Sequence, residues 1–364
     1  MKNKKSKIKN TLALSIGLLS LGISPAQEFE FTDLFPQKED IACYRIPAIV
    51  TAPNGDLITA IDERVPSCAD LRDNNNINIV SKRSSDNGKT WTPIERLVDY
   101  PMGQSASDPS MIVDRMTNTI FMFFNYMDLD REPQVYYLKY IKSEDNGKSW
   151  SEPEDITDQI TPSDWHKDFK FITSGRGIQT RKGTLIHTLV NLDNGLHLFK
   201  SEDHGHTWQL IKTPLIPGDE SKVVERSDGS WMVNCRLNKK GYRQIYISED
   251  EGESWASYAD YSLVDPGCNA GIIRWDTNDS SIPKGILLFV NAFDLHNRKN
   301  LTLSVSKDDG KTWSAKKTIY QGPAAYAAIT LLEKADLGII FEKDNYTQNS
   351  FVRISKAQIQ ALLD

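Results

Sequence analysis

The sequence is poor in cysteine: Cys43, Cys68, Cys235 and Cys268 are all that 364 residues hold. That density excludes a disulfide-stapled scaffold, and without a Cys-x-x-Cys or clustered histidine pattern a zinc site is unsupported. Four cysteines allow three pairings; we expect one bridge at most, with the remaining thiols free and buried. Basic charge is also short. The formal net charge is −6, but residues 1–26 contribute five lysines and no acid, which leaves 38 basic against 49 acidic residues, or −11. A duplex nucleic acid partner needs a basic surface and is excluded. Beyond the N-terminus no window offers 18 uninterrupted apolar residues, so no stable membrane insertion is expected. Glycine and proline, at 21 and 16 residues, stand near average use and rule out collagen-like or low-complexity chains.

The N-terminus has the make-up of an export signal. Lys2, Lys4, Lys5, Lys7 and Lys9 precede the mostly apolar stretch Thr11 to Ile23, and Ser24-Pro25-Ala26 supplies small residues for cleavage. We therefore expect residues 1–26 to be a signal peptide cut near Ala26. Residues 27–364 would form one domain, exported to a periplasm or secreted. No linker divides them, and the tail from Ser355 to Asp364 has the apolar spacing of a short helix.

An eight-residue segment, Ser-x-Asp-x-Gly-x-(Thr/Ser)-Trp, recurs five times, with its aspartates Asp86, Asp145, Asp203, Asp250 and Asp308 spaced 59, 58, 47 and 58 apart. Each copy follows a strand-like run such as Ile77 to Val80 or Leu301 to Val305, so each reads as a hairpin turn. Glycine accepts a positive φ there, Asp and Ser/Thr oxygens bind turn amides, and the tryptophan covers neighbouring strands. These residues are read as structural. Between them lie six turn-plus-apolar runs: Gly55 to Arg64, Asn118 to Tyr126, Gly183 to Leu192, Gly229 to Leu237, Gly285 to Ala292 and Leu337 to Glu342. Their spacing leaves room for about four short strands per unit. The expectation is an all-β chain, a six-bladed β-propeller of four-stranded antiparallel sheets.

In a propeller, loops from every sheet meet at one rim of the central channel. Arg45 stands in Arg45-Ile46-Pro47 before the apolar run Ala48 to Val50, Arg236 ends the run from Trp231, and Arg298 follows the run that closes at Ala292. Five Asp boxes with an Arg-Ile-Pro motif near the start of the mature chain resemble the sialidase (exo-α-neuraminidase) family, over residues 41–345. The resemblance implies that Arg45, Arg236 and Arg298 bind the substrate carboxylate. It implies Asp70 as acid/base, with Asp73 a competitor, Tyr326 as nucleophile, and Glu220 as the base for Tyr326, with Glu225 the alternative. Glu342 would hold Arg45, and Arg64 would be a further ligand-facing arginine. No cofactor and no metal are implied. The partners would be sialylated glycans, glycoproteins or glycolipids, and the enzyme a monomer.

The residue types suit that chemistry. A sialic acid carries a carboxylate on its anomeric carbon, which planar guanidinium groups grip through charge-assisted hydrogen bonds. A carboxylate nucleophile would be repelled there, whereas a neutral tyrosine would not, and sialidases are known exceptions to the two-carboxylate rule. Two rival readings use the same residues: a sugar-binding propeller without turnover, and a trans-sialidase.

Overall fold

The computed structural model describes residues 29–276, 280 and 282–363. The expected signal peptide, residues 1–26, lies outside the described residues. The architecture is all-β, a propeller of antiparallel sheets with a few short helices. Among the described residues no helix is long and apolar enough to cross a membrane.

The first sheet runs Cys43–Thr51, Leu57–Arg64, Ile77–Ser84 and Glu95–Val98 from the channel outward. The second repeats the meander with Gln104–Asp114, Thr119–Asp128, Tyr137–Ser143 and Glu154–Asp155, and gains Gly175–Arg176 in parallel at its inner edge. In the third, Lys170–Ile172 and Ile178–Gln179 both pair with Leu185–Asn191, followed by Gly195–Ser201 and Gln209–Leu215. The fourth is Ser221–Glu225, Trp231–Cys235, Gly241–Ser248 and Ala256–Asp265.

The expectation of six separate four-stranded sheets needs correction. The described strands form five hydrogen-bonded sheets, of 7, 5, 5, 4 and 4 strands. The cause is Ala315–Leu331, a 17-residue strand that pairs with Lys299–Ser306 through its first half and with Leu337–Lys343 through its second. It joins two meanders into one sheet. Phe31–Asp33 completes that sheet's far edge by pairing with Gln348–Ile354, so the first described strand closes the ring.

Apolar side chains fill the layers between neighbouring sheets. Ala48, Ile58 and Ile79 of the first pack on Met111, Met122 and Ile141 of the second, and Ile112, Phe121 and Phe123 pack on Leu185, Leu189 and Phe199 of the third. Each recurring box joins the third and fourth strands of a sheet, as expected of a hairpin turn. In the first, Asp86 Oδ1 accepts from the amides of Lys89 and Thr90 at 3.1 and 2.8 Å, and Ser84 Oγ accepts from Gly88 N at 2.9 Å. The C-terminal helix Lys356–Gln360 carries a reciprocal Ser355/Gln358 capping box and buries Ile359 in the last layer.

Candidate active site

The inner strands are irregular where they meet the open cleft, and the irregularity aims the side chains. In Cys43–Thr51 the register shifts between Arg45 and Ala48, leaving Ile46 at φ 64 and Pro47 outside the ladder. In Gln104–Asp114 it shifts between Ser107 and Ser110, with Asp108 at φ 61 beside Pro109. Proline cannot donate to a ladder, and a bulge re-aims its neighbours. Each of these two bulges is pinned by a buried acid on a strand of a neighbouring sheet. Glu342 Oε1 accepts from Ile46 N at 2.9 Å, and Asp62 Oδ1 accepts from Asp108 N at 2.9 Å. A third shift, between Ala324 and Ala327, presents Tyr326.

The cleft between these bulges encloses about 360 Å³. At its floor Tyr326 Oη donates to Glu220 Oε2 at 2.6 Å and accepts from Arg236 Nη1 at 3.1 Å, while Arg236 Nη1 also donates to Glu220. The guanidinium carbons of Arg298 and Arg45 lie 5.4 and 5.8 Å from the centre of the Tyr326 ring. Three arginines from distant parts of the chain thus converge on one phenol. Arg45 is held by Glu342, with Nε to Oε1 at 2.5 Å. Burial raises the Tyr326 pKa well above the ordinary phenol value, the Glu220 charge raises it further, and Arg236 and Arg298 oppose both. The unliganded site therefore holds a neutral phenol.

Asp70 stands on the cleft lip, its side chain 84% exposed, and accepts from Arg64 Nη1 at 2.7 Å. Arg64 is 1% exposed and sits behind Asp70; its other donors go to Asp62 and to the carbonyls of Cys68 and Ala69. Cys43 and Cys68 are bonded, which ties the Arg45 strand to the Asp70 loop, and Cys235 and Cys268 are free and buried. Asp73 also lines the cleft. Glu225 does not; it lies at the far end of its strand, 3.3 Å from Arg181 Nε.

Two residues in this region escaped the sequence reading. Asp108 lines the cleft, and its carboxyl is pushed well above the usual range by burial first and then by Asp62 and Glu220. Its signal was Pro109 inside a strand, the same feature that marks Arg45-Ile46-Pro47. Tyr346 bridges two of the arginines: Arg45 lies 4.1 Å from its ring centre and Arg298 Nη1 donates to its hydroxyl at 3.3 Å. Tyr136, Phe169, Phe171 and Leu192 add apolar surface to the lining of the cleft. Among the described residues no group of three or more His, Cys, Asp or Glu is placed to hold a metal ion.

Residues 65–339 match the BNR repeat-like domain. A sialidase of Micromonospora viridifaciens is 35% identical over 84% of this chain and 50% of its own length. A sialidase of Bacteroides fragilis (strain YCH46) is 29% identical over 84% of this chain and 60% of its own length. This chain thus spans about half to three-fifths of these relatives. Among solved structures, the Hadza microbial sialidase Hz136 superposes with a TM-score of 0.79 at 28% identity, covering 87% of this chain and 66% of that one.

Proposed function

Because the chain belongs to the sialidase family, we propose that it is an exo-α-sialidase that releases terminal sialic acids from glycans with retention, through a tyrosyl intermediate. The observation that carries this reading is the Tyr326 hydroxyl, 2.6 Å from Glu220 Oε2 and 3.1 Å from Arg236 Nη1. Arg45, Arg236 and Arg298 would take the sugar carboxylate, and the surface of Phe169, Phe171 and Leu192 suits the apolar part of an acyl group. Tyr326 attacks the anomeric carbon as its proton passes to Glu220, while Asp70 protonates the departing glycosidic oxygen. Asp70 then takes a proton from water, the water displaces the phenolate, and Glu220 returns its proton to Tyr326. Arg64 positions Asp70 from behind. We also read the seven-stranded sheet as two blades that share the strand Ala315–Leu331, which makes six blades in the ring.

Release of a fluorophore from a sialoside tests the activity. Tyr326→Phe should abolish nearly all turnover and leave binding of free sialic acid largely intact; unchanged kcat in that variant would refute the assignment. Binding without hydrolysis by the unaltered protein would favour a lectin, and transfer to an added acceptor, or an anhydro product, would favour a trans-sialidase.

A further inference from the structure

The central channel has a second mouth. The inner strands begin at the cleft and run away from it: Arg45 is near the start of Cys43–Thr51 and Thr51 at its end, and Glu220 precedes Ser221–Glu225 while Glu225 closes it. Five or six residues at about 3.3 Å each set the two mouths on the order of 17–20 Å apart. The far mouth opens into a cavity of about 430 Å³ whose polar lining includes Arg115, Arg176, Gln179, Glu225, Arg274 and Asp276.

The charges there do not balance. Glu225 lies 3.3 Å from Arg181 Nε and 3.8 Å from Arg274 Nη2, and Asp276 lies 2.9 Å from Arg274 Nη2. Asp114, beside Arg115 in sequence, accepts instead from Met116 N, Gln179 and His204. Arg115 and Arg176 are left with no carboxylate among the described residues. Arg176 reaches only carbonyls, Gly177 O at 3.4 Å and Ile329 O at 3.3 Å, and the Arg115 guanidinium reaches Thr51 O at 3.1 Å. Two guanidiniums offer about ten N–H donors, so most of theirs are uncommitted. Burial, and then the charge of Arg115, lower the Arg176 pKa to about 10. Both effects favour an incoming anion, which would pair with these donors where no protein acid does.

We propose that the far mouth of the channel binds a small doubly charged oxyanion, a phosphate or sulfate group, between Arg115 and Arg176. The site shares no residue with the cleft, and its binding readout does not depend on sialidase activity. Inorganic phosphate, sulfate and acetate serve as probes at matched ionic strength, read by thermal unfolding of the full chain. Phosphate and sulfate should raise Tm more than acetate, and Arg176→Gln should increase the half-saturating phosphate concentration at least about tenfold. Inhibition of sialoside hydrolysis by phosphate, which reads the cleft, should be the same in that variant as in the unaltered protein. Arg115→Gln repeats the test on a more exposed residue should Arg176→Gln fail to fold. Acetate as effective as phosphate, or an unchanged half-saturating concentration in both variants, would overturn the proposal. Phosphate and sulfate acting alike assign the site to the shared oxyanion, and a preference for one names the natural group.

Discussion

Glu342 is fully buried, yet its two oxygens accept from four donors: Arg45 Nε, Arg45 Nη2, Ile46 N and Tyr326 N. One carboxylate thereby orients the guanidinium of Arg45, holds a β-branched residue at positive φ, and anchors the backbone of the proposed nucleophile. Such strain persists where the surroundings enforce it. Glu342→Ala would leave a buried cation and two amides unpaired, so we expect a loss of about 3–5 kcal/mol in denaturant unfolding, with a raised KM. Asp70 has a different task. It is exposed, and only Arg64 and its loop hold it, so Asp70→Asn should fold normally. Its kcat should fall by about 10²–10⁴ on a sialoside with an alkyl leaving group and far less on one with an acidic phenol, which departs without a proton. An equal fall on both substrates would argue that Asp70 is not the acid.

The box turns do more than reverse the chain, because each stacks on the sheet before it. A Cβ on Gly205 would lie 2.3 Å from the Phe121 ring, one on Gly147 2.4 Å from Ile58 Cδ1, and one on Gly88 2.5 Å from the Phe351 ring. Glycine is therefore required by close approach as well as by φ. The residue before it also reaches back: Asn146 Oδ1 accepts from Asn54 N at 3.2 Å and Asp309 Oδ1 from Ser227 N at 3.0 Å. The box aspartates link this geometry to pH. Hydrogen bonds from Thr90 and Ser254, first among their causes, pull Asp86 and Asp250 down to about 2 from an ordinary 3.8. A depressed carboxyl stabilises the fold above its unfolded pKa, and the contribution is lost as pH falls through the folded value. The Tm should hold steady from neutral pH to about 5 and then drop between about pH 4 and 2, and Asp86→Asn should flatten part of that drop.

Ring closure explains why no box follows the strand Gln348–Ile354 among the described residues. Among the described residues the strand Gln348–Ile354 has no hairpin partner downstream; its neighbour is Phe31–Asp33, from the other end of the chain, so no turn is needed. Closure also brings Glu342 against Arg45, 297 positions away. The Cys43–Cys68 bond spans 25 residues on the first sheet, within the same part of the ring. The chain-entropy account gives a loop of that length about 3.5 kcal/mol. The paired substitution Cys43→Ser with Cys68→Ser should lower stability by about that much in denaturant titration, and a reductant should then have no further effect.

Local rules made much of this protein legible. The box follows from turn chemistry within eight residues, and all six apolar runs fall on second strands, such as Leu57–Arg64 and Leu337–Lys343, because burial on both faces writes a continuous apolar signal. The capped helix at the end obeys the same short-range logic. Inner strands were harder to read, since bulges, prolines and polar residues facing the channel break their period, and Asp108 was lost there. Arg45, Arg236, Arg298, Glu220 and Tyr326 were named from a family pattern, but their convergence depends on bulge pinning and ring closure, which act across hundreds of residues. The same holds for Ala315–Leu331, whose fusion of two meanders no local period announces. Sequence by itself determined the repeating unit, because its hydrogen bonds and φ angles are satisfied within one turn. Tertiary structure alone decided how the units join, where Glu225 parts from Glu220, and which guanidiniums are left without a carboxylate, because those outcomes depend on what the closing ring places side by side.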